Sequence, residues 1–292
     1  MKVSILIVNW NTREHLARCV EAILQNKPPV SFEVIVVDNN STDGSAAMLR
    51  ERFGNDSRIR IMESGTNLGF AKANNLAFRQ SSGEYIFLLN PDTEVRGQAI
   101  MDLVAYLDRH AEVGAVGPRL RNPDGSLQPS VRRFPTFFAS LLVLSGLHRF
   151  IRPTRYFMDD LDYSQEAEVD QVMGAAFMTR RSVIEKLGLF DEFFWLWYEE
   201  VDFCKRVYDA GYKIYYYPQA VVMHRGAESF SQLDVFSRKR AAGRSLVYYF
   251  WKNGSRLAAL AMYLAVAILL GVALLPAAAQ KLFGIKSRPH GV

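Results

Sequence analysis

Five polar clusters in this sequence carry side chains able to bind a metal, a phosphate or a sugar. Asn90-Pro91-Asp92 sets a carboxylate beside a second oxygen ligand, a pair that suits a divalent cation carrying a diphosphate; the same residues would serve as a helix N-cap in a βα turn. Asp38, leading the run Asp38-Asn39-Asn40-Ser41-Thr42-Asp43, can accept a hydrogen bond from a nucleobase or ribose, or cap a helix through Ser41 or Asp43. Asn9-Trp10-Asn11 and the stretch from Asn67 to Asn75 add amide side chains. In Glu199-Glu200-Val201-Asp202, three acids at a helix start are favourable against the helix dipole, which accounts for Glu199 and Glu200 without catalysis. Their approach, Phe193-Phe194-Trp195-Leu196-Trp197-Tyr198, is aromatic. A carboxylate against such a wall is desolvated, its pKa rises, and it suits a general base. A lone histidine at a strand end, such as His224, is more often structural, but beside a metal-binding Asp92 it is a second ligand.

The elements that must position these groups repeat one rhythm: apolar run, polar turn, amphipathic helix. Strands are expected over 3–8, 32–37, 59–62 and 85–89, each followed by a helix, the last over 100–109. This alternation implies an α/β fold with a mostly parallel, Rossmann-like sheet and right-handed crossovers. The carboxyl ends of its strands share one rim, so the clusters can converge there. Proline at position 91 ends the fourth strand because it cannot donate to a ladder. Past residue 120 the rhythm changes. Asn122-Pro123-Asp124-Gly125 predicts a hairpin turn. Residues 156–168 read as a loop and 169–179 as one strand with Gly174-Ala175 at its middle. Two strands, 213–217 and 220–223, bracket Pro218.

Apolar residues make up 49% of the 292 and charged residues 22%, as in a globular protein with an added hydrophobic segment. The net charge of +5 points to an anionic partner. Cys19 and Cys204 are the only cysteines, so neither a disulfide framework nor a CxxC metal site is indicated and a reducing compartment is expected. Residues 1–8 reach Asn9 too soon for a signal peptide. Residues 134–151, aromatic and aliphatic with basic ends, suit a core helix or a surface helix touching lipid. From 231 to 252 the pattern is helical and basic. Residues 257–279 then run without a charge, long enough to cross a hydrocarbon core of about 30 Å. The division expected is a catalytic domain over 1–230, a basic juxtamembrane helix over 231–256, a transmembrane or membrane-associated helix over 257–279, and a short basic tail over 280–292. Basic residues concentrated before that helix favour a catalytic domain on the cytoplasmic side of the cell inner membrane.

Taken in order, the motifs resemble family 2 glycosyltransferases of the GT-A fold. Ser4-Ile5-Leu6-Ile7-Val8-Asn9-Trp10-Asn11 and Val36-Val37-Asp38-Asn39-Asn40-Ser41-Thr42-Asp43-Gly44-Ser45 are similar to the family's opening. Asn67-Leu68-Gly69-Phe70-Ala71, Leu89-Asn90-Pro91-Asp92-Thr93, Gly174-Ala175, Phe190-Asp191-Glu192-Phe193-Phe194, Tyr198-Glu199-Glu200-Val201-Asp202 and His224 continue it over about residues 1–230. The branch is that of the rhamnosyltransferase-like enzymes of bacterial surface polysaccharide assembly. The resemblance implies an inverting hexosyltransferase. Asp38 would bind the base of a nucleotide-sugar and Asp43 would support that loop. Asn9, Asn11, Asn40, Asn67, Gly69, Phe70, Asn74, Asn90, Gly174 and Ala175 would line the nucleotide-sugar site. Asn90 stands where the family's Asp-x-Asp motif has its first acid, so Asp92 and His224 would carry the Mg²⁺ or Mn²⁺. Glu200 occupies the base position of the family's Glu-Asp pair, preceded by Glu199, with Asp202 in reserve. The partners implied are a nucleotide-sugar donor, a polyprenyl-diphosphate-linked glycan acceptor and membrane lipid, with no nucleic acid. dTDP-L-rhamnose is the donor suggested, with UDP- and GDP-sugars as alternatives. A sugar nucleotidyltransferase and a non-catalytic membrane binding protein are the rival readings.

Overall fold

Strands as predominantly apolar as these belong in a sheet covered on both faces. The computed structural model, which describes residues 1–226, 232 and 234–283 (side chains to 271), places them there. β1 (Val3–Asn9) is buried along its whole length; α1 (Arg13–Gln25) leads from it to an equally buried β2 (Phe32–Asp38). α2 (Ser45–Phe53), β3 (Ile59–Glu63), α3 (Phe70–Arg79) and β4 (Tyr85–Leu89) follow. These four strands pair in parallel, with Asn9 opposite Asp38 and Ile7 opposite Leu89, so their carboxyl ends form the expected rim.

The second half departs from the simple rhythm. β5 (Thr93–Arg96) precedes α4 (Ala99–Arg109) and β6 (Val113–Arg121), and the predicted hairpin turn brings β7 (Leu127–Gln128) back along β6. Then come β8 (Val131–Arg132), α5 (Phe137–Ser145), α6 (Thr154–Phe157), β9 (Ala167–Glu168), β10 (Gln171–Val172), β11 (Ala176–Arg180), α7 (Arg181–Leu187), α8 (Glu199–Asp209) and β12 (Lys213–His224). The sheet runs β3-β2-β1-β4-β11-β6-β12-β5, with β11 antiparallel to β4 and β6, and β5 antiparallel to β12. It is a mixed α/β sheet, parallel in its first half.

Three expectations are corrected. The strand over 169–179 is two strands: Met173-Gly174-Ala175 turns between them, β10 leaves to pair with β8, and β11 enters the main sheet. The two strands around Pro218 are one, because a register shift between Tyr217 and Val221 absorbs the missing N–H. The 156–168 loop contains the end of α6 and all of β9.

The chain divides into two compact units, Met1–Pro135 with Thr154–Gln232, and Thr136–Pro153 with Leu233–Val292. Eleven of the 35 Lys and Arg but one of the 30 acids fall in the second, giving it +10 against −5 for the first. The second unit holds α5, α9 (Val235–Asn253) and α10 (Arg256–Phe283). Asp234 caps α9, accepting from the Ser237 amide at 2.9 Å. Gly243 lets α10 approach: a Cβ there would lie 2.6 Å from Val266. Ala259, Met262 and Val266 form the buried stripe of α10, while Leu257, Leu260, Leu264 and Ile268 are exposed.

Among the described residues no helix is long and apolar enough to cross a membrane. A membrane-spanning helix over 257–279 is therefore not supported. The described apolar side chains end at Gly271, covering about 22 Å at 1.5 Å per residue, short of a bilayer core of about 30 Å. The side chains of 272–279, and the tail beyond 283, lie outside the described residues.

Candidate active site

All candidate residues lie in the first unit. At the ends of β1 and β2 the amide Asn9 Nδ2 donates to Asp38 Oδ2 and to Ser41 Oγ, each at 3.0 Å, while the Ser41 amide donates to Asp38 Oδ1 at 2.9 Å. Asp38 is thus a buried loop anchor, each oxygen keeping capacity for one further donor. Asn11 and Asn40 adopt left-handed φ of 52° and 65°, which asparagine tolerates, and Asn11 Oδ1 accepts from the Thr42 amide at 2.7 Å. Asp43 serves two helix starts, accepting from the Arg13 amide at 2.8 Å and the Ser45 amide at 3.0 Å. Burial pushes its carboxyl up, but hydrogen bonds from Ser45 and Arg13 win and hold it below the usual range. Ser41 does not cap α2, whose N-cap is Gly44.

Asn39 joins this loop to the next and was not singled out by sequence reasoning, though it lies inside a motif. It is buried, donates to Asn67 Oδ1 at 3.1 Å and accepts from the Leu68 amide at 2.8 Å. Gly69, at φ 79°, lets Trp195 lie against the backbone: a Cβ there would be 2.5 Å from the indole. The neighbouring Phe70 amide donates to Trp195 O at 3.0 Å. Asn74, buried in α3, donates through Nδ2 to Phe70 O at 3.0 Å and so braces the first turn of the helix.

The antiparallel register of β5 and β12 sets His224 opposite Thr93 and so brings it to Asp92. His224 Nε2 lies 3.5 Å from Asp92 Oδ1, both residues 7% exposed. The other ring nitrogen, Nδ1–H, donates to Gln128 Oε1 at 2.7 Å, while Gln128 Nε2 donates to Asn122 Oδ1 at 2.9 Å. This fixes the imidazole ring with its Nε2 edge toward the carboxylate, as metal-binding histidines are fixed by their outer partners. Asp92 Oδ1 and His224 Nε2 face each other in a buried setting, where either a proton or a metal can lie between them, and the residue types fit a divalent ion. Burial pushes the Asp92 carboxyl up, but the His224 hydrogen bond and charge outweigh it and hold it below the usual range. No group of three or more His, Cys, Asp and Glu residues able to hold a metal occurs among the described residues, so remaining ligands would come from the bound substrate or from amides such as Asn90. Asn90 Oδ1 is buried without a partner. Gln128, on a short β7, carried no sequence signal for its role.

Asn90 also ties this side of the site to the acids: its amide donates to Ala175 O at 2.8 Å, and the adjacent Gly174 packs on Glu200, where a Cβ would lie 3.4 Å from Cγ. Before α8 the chain bends through Trp197 and Tyr198 at φ 64° and 72°, costing roughly 1 kcal/mol each. Glu199 Oε2 and Glu200 Oε2 are both buried without hydrogen-bond partners. Burial, then the charge of Glu200, drives the Glu199 carboxyl well above the usual range. Burial also raises Glu200, opposed by backbone amides and by Arg132.

Asp202 is placed otherwise. Fully buried, it accepts from Arg206 Nε at 2.8 Å, and Arg206 donates onward to the carbonyls of Leu187, Gly188 and Leu189. This is a clamp between α8 and α7, which does not suit the reserve base role. Asp202→Ala is expected to cost about 2–4 kcal/mol, discounted because Arg206 remains partly solvated. Urea unfolding measures it; wild-type stability with turnover abolished would return Asp202 to the role of base.

Residues 4–188 match the family described as Glycosyl transferase family 2, and the chain belongs to that family. The protein is thus a glycosyltransferase, which sets aside the nucleotidyltransferase and non-catalytic readings. It is 31% identical over 245 residues, 77% of this chain and 76% of the relative, to an N-acetylglucosaminyl-diphospho-decaprenol L-rhamnosyltransferase of Mycobacterium tuberculosis. Among solved structures, the mannosyltransferase PcManGT of Pyrobaculum calidifontis, in complex with GDP-Man and Mn²⁺, superposes with a TM-score of 0.59 at 19% identity over 97% of this chain and 79% of that one. GalNAc-T7 with UDP, GalNAc and Mn²⁺ gives 0.59 at 16% identity over 77% of this chain; the match spans 44% of the GalNAc-T7 chain. These two likenesses show a GT-A fold.

Proposed function

We propose that the protein transfers a sugar, L-rhamnose from dTDP-L-rhamnose, to a hydroxyl of a polyprenyl-diphosphate-linked glycan with inversion at the anomeric carbon. The observation that carries this is the pairing of a buried Asp92–His224 couple with a Glu200 whose Oε2 is buried without a hydrogen-bond partner, joined through Gly174 and Ala175. Identity to a transferase named for rhamnose and a decaprenol-linked substrate supports the donor and acceptor.

Asp38, Asn9, Asn11, Asn40 and Asp43 hold the loop on which base and ribose rest; Asn67, Gly69 and Phe70 form its neighbour. Asp92 and His224 would hold Mg²⁺ or Mn²⁺, which when bound neutralises charge on the departing diphosphate. Glu200 accepts the acceptor hydroxyl proton as that oxygen bonds to the anomeric carbon. The bond from that carbon to the diphosphate oxygen breaks, and the nucleoside diphosphate leaves with the electron pair. Burial and the neighbouring charge of Glu200 push the Glu199 carboxyl up, which favours Glu200 as the base.

A lipid-linked acceptor would call for a lipid surface, and the basic residues before residue 257 favour the cytoplasmic face of the inner membrane. Exposed Phe138, Phe150, Trp251 and Leu257 in a unit of charge +10 support membrane association through apolar contact and anionic headgroups.

The test supplies dTDP-, UDP- and GDP-sugars with Mn²⁺ to the detergent-solubilised full chain and measures binding and nucleoside diphosphate release. Preference for dTDP-L-rhamnose is expected. Preference for another sugar nucleotide would discard the rhamnose assignment, and binding of none would overturn the reading.

A further inference from the structure

Two chain segments leave the candidate site side by side. Gln128, which holds His224, leads through Ser130 to Arg132. Gly174, which seats Glu200, leads back through Met173 to Gln171. β8 and β10 pair the two segments, Arg132 opposite Gln171 and Val131 opposite Val172, and the ladder runs one step further inward, the Met173 amide donating to Ser130 O at 2.9 Å. Val131 and Val172 are buried in the core, so strand alternation sets Ser130 and Arg132 together on the other face. Three residues of chain separate Gly174 from Gln171, so Gln171, with Arg132 across from it, stands about 10 Å outward from the seat of Glu200.

The two arginines of this ribbon differ. Arg133 Nη1 lies 3.0 Å from Asp170 Oδ1, and Asp170 Oδ2 accepts from the Phe134 amide at 2.8 Å, so that acid is spent. Arg132 is half-buried and forms no ion pair among the described residues. The rings of Tyr156 and Phe157 on α6 hold its guanidinium, whose carbon lies 6.0 Å and 5.5 Å from their centres. A ring contact steadies the cation without neutralising it. A fork of N–H donors held in this way, partly desolvated and without a carboxylate, matches a phosphate, which it can grip through two parallel bonds. Two residues back on the same face, Ser130 is 6% exposed and its Oγ has no hydrogen-bond partner, so it can donate to the same anion.

We infer that Arg132 and Ser130 bind the diphosphate of the acceptor lipid. The inference rests on the proposed reading of the acceptor as a polyprenyl-diphosphate-linked glycan. Position decides between the two diphosphates of the reaction. The donor's belongs with the cation at Asp92 and His224. In an inverting displacement the attacking hydroxyl comes from the face opposite that leaving group, beside Glu200. The acceptor's own diphosphate hangs from the anomeric carbon of its sugar, a ring's width beyond that hydroxyl. Outward from Glu200 is where Arg132 and Ser130 stand. Their grip would set how far the acceptor sugar reaches toward the base, and would favour a diphosphate-linked acceptor over a neutral glycoside.

The test is calorimetric, on the detergent-solubilised full chain in chelator, with farnesyl diphosphate as the probe and farnesol as its neutral control. Farnesyl diphosphate should bind more tightly than farnesol. Arg132→Gln is expected to weaken the diphosphate by about 10- to 100-fold and to leave farnesol unchanged. Arg132→Lys should fall between, since a point charge cannot grip two oxygens as the fork does. Ser130→Ala should cost about threefold. Arg240→Gln, which removes an exposed charge of α9, should change nothing. In Mn²⁺, dTDP should bind wild type and Arg132→Gln alike. Equal affinity of wild type and Arg132→Gln for farnesyl diphosphate overturns the inference; where that variant does not fold, unchanged affinity in both Arg132→Lys and Ser130→Ala does so. A matching loss in Arg240→Gln would assign the attraction to net charge, and a matching loss for dTDP would assign Arg132 to the donor; either overturns it as well. If the wild type releases no nucleoside diphosphate from any sugar donor, the transferase reading fails, while the probe titration still decides whether Arg132 holds a diphosphate.

Discussion

Glu200→Gln is expected to lower turnover by about 10²–10⁴-fold, the usual worth of a general base, with donor affinity changed little. The amide has nearly the size of the carboxylate, so it keeps its seat on Gly174 and leaves Ala175 holding Asn90. What it loses is the ability to take a proton. Because burial raises the Glu200 carboxyl, the acid limb of the wild-type rate profile should lie above the ordinary carboxylate range. The sign is fixed by the role: the base works ionised, so the rate climbs as pH rises through its pKa and falls away below it. Rapid-quench measurement of nucleoside diphosphate release checks the rate, and calorimetry with the donor checks the affinity. Full turnover in Glu200→Gln would move the base to Glu199.

Asp92→Ala is expected to abolish metal-dependent donor binding, a loss of at least about 100-fold, since outer partners of metal ligands alone cost 10–100-fold. His224 would remain on Gln128 with its Nε2 facing empty space and no second protein ligand opposite. The loss should be seen with Mn²⁺ and should not extend to the small metal-independent binding measured in chelator. Calorimetric titration in both conditions separates the two. Equal affinity of wild type and variant in Mn²⁺ would place the cation elsewhere. Asp92→Asn should fall between, because an amide oxygen keeps the donor atom but not the charge.

Much of this site was legible in the sequence because its residues sit where apolar runs stop. Asn9, Asp38 and Asn90 each follow a strand buried at nearly every position, and parallel pairing brings such ends to one rim without further information. His224 was offered as a partner of Asp92 on the chemistry of a metal ligand and on the family resemblance, not on any local pattern, since β5 and β12 meet antiparallel over a separation of about 130 residues. Gln128 gave no signal at all, because it acts through tertiary contacts of a two-residue strand too short to show a periodicity. The break at Gly174 was read as a close approach within one strand, when it is the point where the chain changes sheets. The apolar run after residue 256 was read by composition alone; the buried stripe of Ala259, Met262 and Val266 against α9 shows that part of that apolar surface serves packing within its own unit.

The link through Gly174 and Ala175 also sets a length. The Ala175 carbonyl fixes the turn that carries Asp92, and Gly174 fixes the side chain of Glu200, so the gap between the two working ends is gauged by two residues of main chain. Side chains lining the donor pocket or the acceptor approach can be exchanged without altering that gauge. A scaffold of this kind lets the identity of both sugars drift while the stride between them stays constant.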